Sequence, residues 1–233
     1  MILPLAVLLA APAAPSTSQV IGQVECSTRT GADVQLCLAT RYAGAKRFAD
    51  SATEFEKAAA AGGPRADFAL AAAGNMWIAA GEPGKAAFAL DRALAGKALQ
   101  AEQRGEALLD RARAAEAQND LATARARIKD ATPLVSDDPF LWYFSAALAI
   151  REGDKTTAQS AIAKALTLAP NDPSVLFEAG HVAHFLGNTD QARSYWMRAA
   201  GSDPNGAIGR AAAKAVEVLG VTPVVKSQAQ PTK

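Results

Sequence analysis

Between residues 32 and 206, small and bulky apolar residues alternate with polar ones in two short stripes that recur at one spacing. Residues 139–172 carry Trp142, Gly153-Asp154, Ala158, Ile162, Ala165 and Pro170. Residues 173–206 carry Leu176, Gly180, Gly187-Asn188, Ala192, Trp196, Ala199 and Pro204, with matched positions 34 residues apart. One step back lies a weaker unit at 105–138, with Leu108, Ala112, Asn119-Asp120, Ala124, Ile128 and Ala131. Beyond residues 101–104 a clear unit at 67–100 has Leu70, Gly74, Trp77, Gly81, Ala86, Leu90, Ala93 and Leu94. Beyond Ala66, a degenerate unit at 32–65 keeps Ala39, Tyr42, Phe48, Phe55 and Ala58. Self-similarity at a fixed period is what stacked supersecondary units write into a sequence.

Each unit reads as two helices. In the first, an apolar residue is followed four later by a small one, as in Leu70 and Gly74 or Leu176 and Gly180, one turn apart on one face where a neighbouring helix can approach. Gly81, Gly153 and Gly187 end that helix, and Glu82-Pro83, Asp154 and Asn188 start another. The second helix carries Ala, a large apolar residue and Ala at spacings of four and three, as in Ala192, Trp196 and Ala199, which make one packing stripe. Pro170 and Pro204 stop it. Trp77, Trp142 and Trp196 fall where the pattern wants bulk, so they are assigned to the core.

Composition agrees. Of 233 residues 57 are Ala and only 14 are Phe, Trp or Tyr, which favours helix, and the mean hydropathy of +0.02 fits a globular chain. Lys and Arg number 24 against 23 Asp and Glu, so no electrostatic footprint points to nucleic acid or another polyanion as partner.

The period and these positions resemble the tetratricopeptide repeat. The resemblance is strong over 67–100 and 139–206 and weaker over 105–138, where Arg111 takes a usually apolar place and Ser136 replaces the closing proline; over 32–65 it is faint. It implies an all-α, right-handed α-solenoid of about five helix-turn-helix repeats. Residues 207–219 would form a capping helix over the last apolar face, and 220–233 a mobile tail. It also implies a concave groove lined by first helices, with Phe140, Tyr143, Arg151, Phe177, His181, His184 and Phe185 at groove positions, and Phe68 and Asn75 in an earlier unit. Aromatics with Arg are an interface composition. The Lys, Asn and Arg set by which some members clamp a terminal carboxylate is matched in kind by Asn75 alone, so capture of an acidic C-terminal peptide is not implied.

Residues 1–14 are apolar and uncharged, and too short for a bilayer span of about 20 residues. With Ala11-Pro12-Ala13 they fit a secretory signal cleaved near Ala13 or Ala14, although no Lys or Arg precedes the run. The expectation is export to a bacterial periplasm or the medium, with a cytoplasmic chain the alternative. In an exported chain Cys26 and Cys37, in a 15–31 cap segment and the first unit, invite one disulfide; for so short a loop it is worth a little under about 3 kcal/mol. In the cytosol they would stay thiols.

Candidate chemistry changes this little. His181 and His184, three apart, could share a metal, but Glu178 is the one nearby carboxylate and Asp190 lies beyond the turn, so no metal site is assigned. From Glu102 to Asp130, Arg111, Arg113, Arg125, Arg127 and Lys129 interleave with Glu102, Glu106, Asp110, Glu116 and Asp120, which reads as a solvated face. No phosphate loop, nucleotide-binding glycine pattern or nucleophile elbow occurs. The expectation is a noncatalytic scaffold without cofactor that binds a protein or peptide. A metal-carrying protein using His181 and His184, and a structural self-associating module, are the alternatives.

Overall fold

The computed structural model describes Cys26 and residues 28–221, and among these the chain forms eleven helices and no strand. The helices come in antiparallel pairs: α1 (Ala32–Gly44) with α2 (Phe48–Ala60), α3 (Ala66–Ala79) with α4 (Pro83–Ala95), and α5 (Ala101–Ala117) with α6 (Leu121–Ala131). They continue with α7 (Pro139–Glu152) and α8 (Lys155–Leu168), then α9 (Pro173–Phe185) and α10 (Thr189–Ser202), and close on α11 (Ala207–Val221). The expected signal segment and the tail from 222 onward lie outside the described residues. Gly220 and Val221, assigned to the tail from sequence, extend the closing helix.

One packing rule builds every pair. The eighth residue of each 34-residue unit is small and buried: Ala39, Gly74, Ala112, Ala146 and Gly180. The twenty-fourth, on the second helix, is large and apolar: Phe55, Leu90, Ile128, Ile162 and Trp196. A Cβ added to Gly74 would overlap the Leu90 side chain, and one added to Gly180 the Trp196 indole. Trp196 cannot easily yield, since it is 4% exposed and its Nε1 donates to the Phe177 carbonyl at 3.0 Å. The twenty-seventh residue, Ala58, Ala93, Ala131, Ala165 or Ala199, is buried in every pair and keeps the helices close. In the degenerate first unit Ser51 takes an alanine's place, is fully buried, and satisfies its hydroxyl by donating to the Ala39 carbonyl at 2.8 Å.

The turn between paired helices also recurs. Lys46, Gly81, Asn119, Gly153 and Gly187, the fifteenth residues of the five units, all have left-handed backbone, with φ of 57°, 76°, 62°, 76° and 88°. The next residue's N–H then bonds five residues back, from Arg47 to Tyr42, Glu82 to Trp77, Asp120 to Ala115, Asp154 to Ala149 and Asn188 to Ala183, at 2.8–2.9 Å. This is the Schellman closure of a helix, which glycine enters without steric cost. Asp120 and Asp154 then cap the second helices by accepting from Thr123 N and Thr157 N, each at 3.0 Å. Hydrogen bonds from the Thr123 and Thr157 side chains, and then those from their N–H groups, hold both carboxyls below the usual aspartate range.

First helices line up side by side, α3 against α5 and α7 against α9, while α5 and α7 stand further apart. Large residues fill that wider step, with Leu108, Leu109, Leu141 and Leu148 in one cluster. Two arginines cross it. Arg125 on α6 pairs with Glu152 and donates to Ser145 Oγ at 2.9 Å, and Arg151 on α7 reaches Glu116 and Asn119. Trp142 differs from expectation: Leu141 is the fully buried residue, and the indole is half-buried between two clusters. Its N–H donates to the Ser136 carbonyl at 2.7 Å near the surface, which holds one edge of the ring outward. At the N-terminal end Cys26 and Cys37 form a disulfide with Cα atoms 5.6 Å apart, and Cys26 is fully buried. Among the described residues no helix is long and apolar enough to cross a membrane.

Three substitutions test this geometry. Gly180→Ala should destabilise the protein by about 1–2 kcal/mol by urea unfolding, because overpacking against Trp196 outweighs the gain in helix propensity. Gly201→Ala, where a Cβ meets nothing within 4 Å, should leave stability unchanged or raise it by up to about 0.5 kcal/mol. Equal effects at the two sites would refute the packing rule. Lys46→Gly should stabilise by about 1 kcal/mol in the same assay by relieving a left-handed non-glycine residue; a loss would show that Lys46 is not strained.

Candidate functional site

Cavities along the first helices fall into two halves. The N-terminal half holds a cavity of about 540 Å³ lined from α1, α3, α5 and the start of α7, with Phe55 the sole contribution of a second helix. Phe68, Met76, Leu109 and Phe140 supply the apolar floor, and Phe68 is 45% exposed, unusual for a large apolar side chain. Glu106, Asp110, Arg113 and Asp138 are its charged residues.

Their pairing is uneven. Asp110 accepts from Asn75 Nδ2 at 2.7 Å and from Arg113 at 2.8 Å, while the Arg113 guanidinium also lies 5.6 Å from the Phe140 ring centre. Asp138 caps α7, accepting from Phe140 N at 2.8 Å. Glu106 makes no hydrogen bond or ion pair among the described residues. Its carboxyl is pushed above the usual glutamate range, first by desolvation and then by the charges of Glu102, Asp110 and Asp138.

The C-terminal half is divided. Ala147, Ile150, Glu178, His181, His184 and Phe185 line a cavity of about 480 Å³ between α7 and α9. Phe177, His181, His184 and Trp196 face α11 across another of about 390 Å³, closed on its far side by Ala215, Val218 and Leu219. His181 sits edge-on to Phe177 and to Trp196, with ring centres 4.4 and 5.4 Å apart, and its Nδ1 lies 3.3 Å from Glu178 Oε2. Among the described residues no three His, Cys, Asp or Glu side chains gather as a metal would need.

Tyr143 lies between the halves, edge-on to Phe140 at 5.1 Å. Burial pushes its hydroxyl up to about 12, with Asp172, Asp138 and Glu178 adding to the shift and Arg113 opposing it. Phe140 therefore belongs to the N-terminal cavity, and Phe177, His181, His184 and Phe185 to the C-terminal pair. Arg151 lines none of these cavities. It is held at the preceding turn by the Glu116 carboxylate, the Glu116 carbonyl at 3.1 Å and Asn119 Oδ1 at 2.7 Å. A guanidinium so engaged ties repeats together.

The charged segment from Glu102 to Asp130 is not one solvated face. Glu106, Asp110 and Arg113 line the groove, whereas Arg111 pairs with Asp91 at 2.8 Å and Arg127 with Asp130 at 3.0 Å away from it. The sequence offered a signal for this: Glu106, Leu109 and Arg113 stand at the same places in their unit as Phe140, Tyr143 and Ala147 in theirs.

Comparison with known proteins places this geometry. The sequence model described as Tetratricopeptide repeat matches residues 141–172 and 173–205. No curated protein matches the sequence. Among solved structures, that of the hetero-tetramer Cut9-Hcn1 superposes with a TM-score of 0.71 at 17% identity over 88% of this chain, which spans 39% of that one. Pseudomonas aeruginosa pilF gives 0.63 at 17% identity, covering 79% of this chain and 82% of its own. YrrB, described as a TPR protein with an unusual peptide-binding site, gives 0.55 at 17% identity over 87% of this chain and all of its own.

The unpaired carboxylate yields a signed prediction. A carboxyl whose folded pKa is raised makes its ionisation unfavourable to the fold, fully so above the folded pKa and not at all below the unfolded value near 4.5. Glu106→Gln should therefore raise the melting temperature at pH 7, with the gain vanishing as pH falls through the glutamate range. A loss of stability at pH 7 would mean that Glu106 has a structural partner.

Proposed function

With the chain folded as a tetratricopeptide repeat solenoid, we propose that it is an exported, noncatalytic scaffold that seats an extended segment of a partner protein along its concave face. The observation that carries this reading is the run of cavities along the first helices, lined by aromatic side chains from Phe68 and Phe140 to Phe177 and Phe185, with Tyr143 packed edge-on to Phe140. Packed repeats hold these rings in place before a partner arrives, so little ordering is lost on association. That YrrB, of like fold, is described as having a peptide-binding site supports a peptide ligand here. His181 and His184 contribute polar contacts on aromatic neighbours in this reading, and no metal takes part. Export rests on the apolar N-terminal run and on the Cys26–Cys37 bond, which an oxidising compartment maintains.

The test is selection of ligands for the full chain from a random peptide library, followed by hydrogen-exchange footprinting. Protection should fall on α3, α5, α7 and α9. Phe68→Ala should weaken ligands seated in the N-terminal half by about tenfold, and Phe88→Ala, still more open at 66% exposure but outside these cavities, should not. Protection confined to second helices, or a larger effect of Phe88, would overturn the placement.

A further inference from the structure

We propose that the N-terminal half of the groove is selective for a cationic segment: an Arg- or Lys-bearing stretch of a partner protein, its aliphatic stem across Phe68 and Phe140 and its charge at Glu106. This rests on the groove reading above and adds the chemistry of the occupant. The argument is one of charge complementarity over an apolar floor. The chain as a whole is nearly neutral at +1, yet the cavity lining holds three carboxylates, Glu106, Asp110 and Asp138, against one guanidinium, Arg113. That guanidinium is already consumed by Asp110. Asp138 is occupied by the start of α7, so Glu106 is left with its charge uncompensated beside exposed aromatic surface. Glu102, one turn back, adds to the same field, and Tyr143 senses Asp172 and Glu178 further along the groove.

Apolar floor and unpaired carboxylate together match a side chain with an apolar stem and a cationic tip. The site contains an internal example: Arg113 already lies against the Phe140 ring while its charge meets Asp110. An acidic segment would add like charge to a cavity whose lining, among the described residues, holds no cation besides Arg113, and a neutral one would leave Glu106 desolvated without a partner.

The test uses fluorescence polarisation of the full chain with three synthetic peptides sharing one Leu- and Phe-containing frame, bearing Arg, citrulline or Glu at the centre. The Arg peptide should bind best, citrulline about fivefold more weakly, and Glu more weakly still, with the Arg advantage shrinking as salt rises. Glu106→Gln should abolish most of the difference between Arg and citrulline, chiefly by weakening the Arg peptide; Glu106 is exposed, so the fold tolerates it. Equal affinity for the three peptides, or a preference for Glu, overturns the cationic assignment while the groove reading stands. If none of the three binds but library-selected ligands still footprint on the first helices, the cationic assignment again falls alone. Failure of both experiments removes the groove reading with it.

Discussion

Everything on the face of the first helices depends on how closely two helices can approach within a repeat. A residue without bulk at the eighth place admits a large side chain from the second helix, and where that residue is Gly74 or Gly180 even one methyl group would collide with Leu90 or Trp196. Packing at crystal-like density turns this local fit into a fixed pair geometry. Fixed pairs stack with their first helices adjacent, and the groove is the space left in front of that row. Its rings and carboxylates are held by an interior in which most buried residues are alanines, so the helix axes, and with them the groove, have little latitude.

The stack is not uniform. The first helices α3 and α5, and α7 and α9, lie against each other, but the step from α5 to α7 is filled by leucines and is wider. Arg125 and Arg151 bridge it with charge-assisted bonds to Glu152, Ser145, Glu116 and Asn119. The N-terminal cavity ends at this step, on Asp138 and Phe140, and the unit at 105–138, the one least like its neighbours among the later repeats, supplies its charges. Weak resemblance to the repeat pattern and local chemistry coincide there. A position released from the packing pattern can carry a charge.

What could be read of the site before folding was partial for the same reason. Aromatic groove positions are legible because they recur at set places in each unit. Glu106, Asp110 and Arg113 were hidden in a run of mixed charges whose other members, Arg111, Arg127 and Asp130, are of the same residue types. Arg151 occupies a groove position by count, yet its guanidinium reaches Glu116 some 35 residues away, a partner that periodicity does not reveal. Trp142 stands at a core place, and only the position of the Ser136 carbonyl draws its indole toward the surface.

The sequence by itself determined the helical class, the 34-residue period and the small-against-large pairing inside each unit, because these depend on contacts within a few turns and are repeated until the pattern exceeds chance. It also paired the only two cysteines as a possible disulfide. Tertiary structure alone decided the uneven spacing between units, the two separate halves of the groove and the isolation of Glu106 as an uncompensated charge. Those properties depend on which side chains from different repeats meet across the stack, and the strength of a charge depends on every partner that reaches it and every partner that does not.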